Sequence, residues 1–115
     1  MSDSAPQRLA LCDDGGAREL TLRVPEQHAC FEGHFPGRPI VPGVELLHWA
    51  VCALADWQQR ELDVCALEAL KFRRPLLPGE TFSLRLAPAS DALCFAFEMR
   101  DANGPIASGR VRVLP

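Results

Sequence analysis

No stretch of this chain is apolar for long enough to cross a bilayer, and no run of like charge is long enough to form a tail. The first residues, MSDSAPQRLA, have neither the basic n-region nor the apolar h-region of a secretory leader, so a cytoplasmic chain without membrane insertion is expected. The five cysteines, at positions 12, 30, 52, 65 and 94, are odd in number and show no CxxC or Cys/His ligand spacing. That argues against a disulfide framework and against a zinc site, and leaves mostly buried thiols as the expectation. No cofactor is implied. A formal net charge of −3 gives no electrostatic footprint for nucleic acid. Repeats and linkers are also missing, so the 115 residues read as a single domain, 1–115. A chain of that size is small for an enzyme that must enclose a substrate, and dimerisation would supply the missing walls.

What is present is concentrated between Gly33 and Val44, in GHFPGRPIVPGV. Pro36, Pro39 and Pro42 each fix φ near −65°, and Gly33, Gly37 and Gly43 supply the freedom between them, so the segment is neither helix nor central strand. It is a rigid loop that holds His34 in one place. An incidental histidine in a tight surface turn is the plainer alternative. Val44 to Trp57 follows as VELLHWAVCALADW, without Gly or Pro and rich in Leu and Ala, which predicts a helix. Apolar residues point all round it, so it is expected to be enclosed by other structure. Its polar exceptions, Glu45, His48, Cys52, Asp56 and Gln59, are spaced by three, four, four and three residues and therefore share one side. Near the helix end this stripe reads as a solvated face or subunit boundary. Glu45 and His48, directly after the loop, read as part of a site.

The rest alternates with the period of two that marks half-buried strands. Arg8 to Cys12 and Glu19 to Val24 flank the turn Asp13-Asp14-Gly15-Gly16. Val64 to Arg74 reads as a long strand whose first half equally suits a helical extension. Thr81 to Ala87 and Leu93 to Met99 bury Phe82, Leu84 and Leu86, and Leu93, Phe95, Phe97 and Met99. Asp101-Ala102-Asn103-Gly104 carries an Asn-Gly hairpin signal into the last strand, Ile106 to Leu114, with Val111 and Val113 inward and Arg110 and Arg112 outward. One buried helix and hairpin-linked strands define an α+β domain, an antiparallel sheet wrapped around one long central helix, the hot-dog arrangement.

Taken together, GHFPGRPIVPGV, then LLHWA, then KFRRPLLPGE resembles the 3-hydroxyacyl-[acyl-carrier-protein] dehydratases of the FabZ/FabA type, and the LLHWA block resembles the ApeI-like offshoot associated with aryl polyene pathways. The resemblance implies removal of water from a 3-hydroxyacyl thioester held on acyl carrier protein, in fatty acid or polyene biosynthesis. Such a reaction needs a base for the C2 proton, a donor for the developing oxyanion and a proton for the leaving hydroxide. The resemblance assigns the base to His34 and the oxyanion to the Gly43 N–H, with Phe35 and Val44 beside them as substrate contacts. It also implies a dimer whose sites take His34 from one chain and the helix stripe from the other. The chain departs from the family at the third role: five residues after the glycine of the PGV block the family has a carboxylate, and here that position is His48. His48 as imidazolium, or Glu45 through a bound water, is then the candidate proton donor. The alternatives are a non-catalytic subunit paired with a second dehydratase, as homodimer or heterodimer, and a hot-dog thioesterase using Glu45. Lys71, Arg73, Arg74 and Arg38 are candidate contacts for the acidic carrier or simply a solvated strand end. His28 reads as surface.

Overall fold

The computed structural model describes residues 5–26 and 40–115. Six strands and one helix follow in the order β1 (Gln7–Asp14), β2 (Ala17–Arg23), α1 (Gly43–Gln58), β3 (Val64–Phe72), β4 (Thr81–Pro88), β5 (Cys94–Asp101) and β6 (Gly104–Val113). All pairings are antiparallel, in the order β1-β2-β4-β5-β6-β3, so the segment containing α1 carries the chain from one side of the sheet to its far edge. The tight turns use glycine where a left-handed backbone is needed. Gly15 and Gly16 have φ of 59° and 88° between β1 and β2. Between β5 and β6 the two loop residues are Ala102 and Asn103, and the positive φ of 120° falls on Gly104. The Asn-Gly dipeptide thus straddles the loop end, and Asp101 Oδ1 accepts from the Asn103 N–H at 2.8 Å to brace the turn.

Inner-face side chains of the sheet, among them Leu20, Leu22, Phe82, Leu84, Leu86, Phe97, Met99 and Val111, pack on Leu46, Trp49, Ala50 and Leu54 of α1. Trp49 stacks on Phe82 with ring centroids 6.2 Å apart. Each large apolar side chain buried this way stabilises by about 1.5–3 kcal/mol, and the helix is held by that face. Its N-cap, Pro42, makes no side-chain cap bond but is extended, and its carbonyl accepts from the Glu45 and Leu46 N–H groups. Glu45 in the first turn complements the positive helix end. At the other end Gln59 adopts φ 56° and caps onto Ala55 and Asp56 carbonyls.

Four expectations change here. The helix is not enclosed within one chain: Val44 is 74% exposed, and His48, Cys52 and Asp56 also lie open, because a single curved sheet covers one side of a helix only. The thiols are not mostly buried, since Cys12, Cys52 and Cys65 are exposed and only Cys94 of the four described is buried. The third strand is strand throughout and stops at Phe72, two residues earlier than the run suggests. It is broken by a bulge in which Ala69 takes φ 53° and Gly109 alone faces both Ala69 and Leu70. Finally, Cys94 is fully buried although it keeps the outer-face register the alternation gave it, opposite Arg112 of β6 and outside the core cluster.

Candidate functional site

Helix α1 lies in the concave sheet with a flank on either side, and the two flanks differ in chemistry. On the β1–β2 side a groove of about 210 Å³ is lined by Ala5, Pro6, Arg8, Leu20 and Leu22 against His48, Trp49, Cys52, Ala53 and Asp56 of the helix. Three residues of the polar stripe read from the sequence, His48, Cys52 and Asp56, lie in its helix wall, while Glu45 and Gln59 do not line the groove. The Cys52 Sγ lies 3.6 Å from His48 Nε2 and 3.9 Å from Nδ1. Partial desolvation, and to a smaller degree the negative charge of Glu45, push the Cys52 thiol above its ordinary pKa, so it is a protonated thiol rather than a thiolate. Arg18 closes the far end, its guanidinium forked onto Asp13 at 2.7 and 3.0 Å and 3.7 Å from Asp56.

The β3 side is apolar. Phe72 lies against the start of the helix so closely that a Cβ on Gly43 would meet its ring at 3.2–3.4 Å. Leu67, Leu70 and Phe72 of β3 are all exposed, as is Val44 at the helix start. As the first helical residue, Gly43 has an N–H with no intrahelical acceptor, pointed out of the positive end of the helix. That is a suitable donor for a developing oxyanion.

Gly43 and His48 are five residues apart, about 140° around the helix axis, and so the chain turns them to different flanks. Glu45, half-buried, lies on the His48 side. The structure therefore joins His48 with Cys52 and Asp56, and Gly43 with Val44 and Phe72, but brings neither group to the other. His34 and Phe35, with His28 and Arg38, lie outside the described residues. Sequence reasoning missed Phe72, whose signal was its place in KFRRP, and Arg8, which faces the groove across from the helix. Arg74, one of the candidate carrier contacts, has its guanidinium bound to Asp101 and donates to the Gly104 carbonyl at 3.3 Å, tying the segment after β3 to the β5–β6 turn. Among the described residues no group of three or more His, Cys, Asp or Glu side chains is placed to hold a metal, and no helix is long and apolar enough to cross a membrane.

A six-stranded antiparallel sheet with one helix in its concavity is the α+β hot-dog fold, and solved structures agree. The dehydratase heterocomplex ApeI:P of Xenorhabdus doucetiae aligns with a TM-score of 0.85 over 96% of this chain and 98% of that one, at 22% identity. A protein of Erwinia carotovora subsp. atroseptica aligns at 0.80 over 96% of each chain, at 26% identity. The family model for ApeI-like proteins, described as ApeI dehydratase, matches residues 12–110, and the chain belongs to that family. Curated relatives include the 3-hydroxyacyl-[acyl-carrier-protein] dehydratases FabZ of Ehrlichia chaffeensis and Acetivibrio thermocellus. The first is 37% identical over 82 residues, 67% of this chain and 57% of that protein. The second is 37% identical over 76 residues, 60% and 49% respectively. The chain thus spans about half to three-fifths of the length of these relatives.

Proposed function

We propose that this protein dehydrates 3-hydroxyacyl thioesters carried by acyl carrier protein to 2-enoyl products, as a dimer in which each site is assembled from two chains. The observation that carries this reading is the division of the site residues between the two flanks of α1: Gly43 with its free N–H on one, His48 on the other. A second chain, turned about a two-fold axis, supplies the half that each flank lacks. His34, held by the Pro/Gly loop, removes the C2 proton as a neutral imidazole. The Gly43 N–H receives the thioester oxygen, with Phe35, Val44 and the apolar β3 flank against the acyl chain. His48 of the opposing chain, as imidazolium, gives its proton to the departing hydroxide, with Glu45 on the same helix side as the alternative donor through a bound water.

A second reading has its own support. His48 stands where the family carries a carboxylate, and a heterocomplex is among the solved relatives, so the chain is alternatively a subunit that lends its fold to an active partner. One experiment separates the two. The purified chain is assayed alone against a 3-hydroxyacyl and a 2-enoyl carrier-protein thioester across pH, beside His34→Ala. Turnover with a bell-shaped pH profile, abolished in His34→Ala at unchanged thermal midpoint, is expected. Silence at every pH, with turnover restored by a partner through the partner's own residues, overturns the catalytic reading. Release of free thiol in place of water would move the reading to a thioesterase.

A further inference from the structure

We propose that the loop from Arg73 to Glu80 is a clamp on both ends of the stretch that contains His34, with Arg74 and Glu80 as positioning residues at its two roots. The inference rests on the reading that His34 and the Gly43 N–H act on the thioester, and it adds what sets their places. That stretch begins after Val24, which follows β2, and ends before Val41, two residues ahead of Gly43. Both of these residues are tied to the one loop. The Val24 N–H donates to the Glu80 carbonyl at 2.8 Å, and the Val24 carbonyl accepts from the Gly79 N–H at 3.0 Å. The Val41 N–H donates to the Leu76 carbonyl at 2.8 Å. Val24, Val41 and Leu76 all belong to the buried core cluster, so these bonds sit where water competes little for them.

Apart from the Phe72 ring, little else orients the helix start. Pro42 makes no side-chain cap bond, so the direction of the Gly43 N–H follows from how Val41 is held. The loop is itself braced at both roots. At the first, one guanidinium nitrogen of Arg74 is bound to Asp101 and also donates to the Gly104 carbonyl at 3.3 Å, while the Arg73 N–H donates to the Ile106 carbonyl at 2.7 Å. At the second, the Glu80 carboxylate accepts from the Leu77 N–H at 2.9 Å, and Gly79 takes φ 79°, a backbone that glycine adopts without strain. Neither Arg74 nor Glu80 lines the groove beside α1, so each acts through the loop. The block KFRRPLLPGE thereby acquires a role that the three reacting groups do not give it.

The test is amide hydrogen exchange in the full chain, read beside dehydration kinetics, for Arg74→Ala and Glu80→Ala. If one clamp holds both ends, either variant should speed exchange at both Val24 and Val41 by about tenfold or more, while Leu84 and Phe97 in the middle of the sheet keep their rates. Arg74→Lys should restore both amides, because a single nitrogen makes both of the arginine side chain's bonds and an ammonium can replace it. Turnover of a 3-hydroxyacyl carrier-protein thioester should show kcat lowered about ten- to 10²-fold at unchanged KM, as misplacement of reacting groups predicts, and should recover in Arg74→Lys. Val24 responding to Glu80→Ala alone and Val41 to Arg74→Ala alone would make them separate contacts and overturn the clamp. So would exchange that quickens throughout the sheet, or unchanged kcat in variants whose two amides have quickened. A chain with no turnover before any substitution defeats the catalytic reading, and exchange at Val24 and Val41 then decides by itself whether the loop holds both ends.

Discussion

The two flanks of α1 rest on the same floor and are built for different work. Toward β1 and β2 the helix shows His48, Cys52 and Asp56, and the strands answer with Arg8 and, at the far end, the Asp13–Arg18 fork. Toward β3 it shows Gly43 and Val44, and the strand answers with Phe72, Leu70 and Leu67. Under the proposed function, proton chemistry is assigned to the first setting, where the polar groups are half-solvated, and the acyl chain to the second. The third side of the helix, Leu46, Ala50 and Leu54, holds both in place, together with Trp49, which packs in the core and also lines the polar groove.

That division suggests how to break the flanks together and then one at a time. The shared floor gives the largest effect. Leu54 is 1% exposed, and Leu54→Ala should cost about 2–5 kcal/mol in denaturant unfolding and lower activity only through loss of folded protein. Next in size is His48→Ala on the polar flank, expected to lose roughly 10²-fold in turnover, in line with general-acid contributions, with an unchanged unfolding midpoint because the side chain is exposed. A variant that unfolds more easily would mean that the flank also carries stability, and the comparison would fail. On the apolar flank, Gly109→Ala places a Cβ 2.5 Å from Leu70 Cδ2 and 3.0 Å from Phe97 Cε2. Leu70 can swing outward but the buried Phe97 ring cannot, so a loss of about 1–3 kcal/mol is expected. Leu70→Ala in the same chain should recover part of it. No recovery would show that the strain comes from Phe97 alone.

The fold was legible because its signals are local and periodic. The helix reads one residue short at each end, since Pro42 is an extended cap and Gly43 already helical. The strands after it were legible from alternation at Phe82, Leu84 and Leu86 and at Phe95, Phe97 and Met99. What alternation cannot register is a bulge: at Ala69 the period of two breaks through one left-handed residue, and nothing in VCALEALKF marks it. Composition likewise does not say which side of an apolar helix is left uncovered, and that is why Val44 was expected inside. Of the site, the stripe from Glu45 to Asp56 was legible from spacing alone. Arg8 and Phe72 were not, because they join it through strand register across long stretches of sequence.

The smallest expected effect lies at the closed end of the polar groove and concerns pH. The hydrogen bond from Arg18, reinforced by its charge, holds the Asp13 carboxyl below its ordinary value. A carboxyl whose folded-state pKa is depressed adds stability that is present above its unfolded value, about 3.9, and is lost as pH falls through the folded value. Asp13 is exposed, so solvent screens the pair and its contribution is small. Arg18→Ala removes the fork and with it the contact to Asp56 that ties the hairpin to the end of α1. Urea unfolding of the two proteins should therefore differ slightly at pH 7, and the difference should shrink steadily as pH falls below about 4. High salt at pH 7 should shrink it as well. A difference independent of both pH and salt would mean that Arg18 acts there through its aliphatic stem, packed over the groove end, and that the charge pairing is incidental to how this flank is closed.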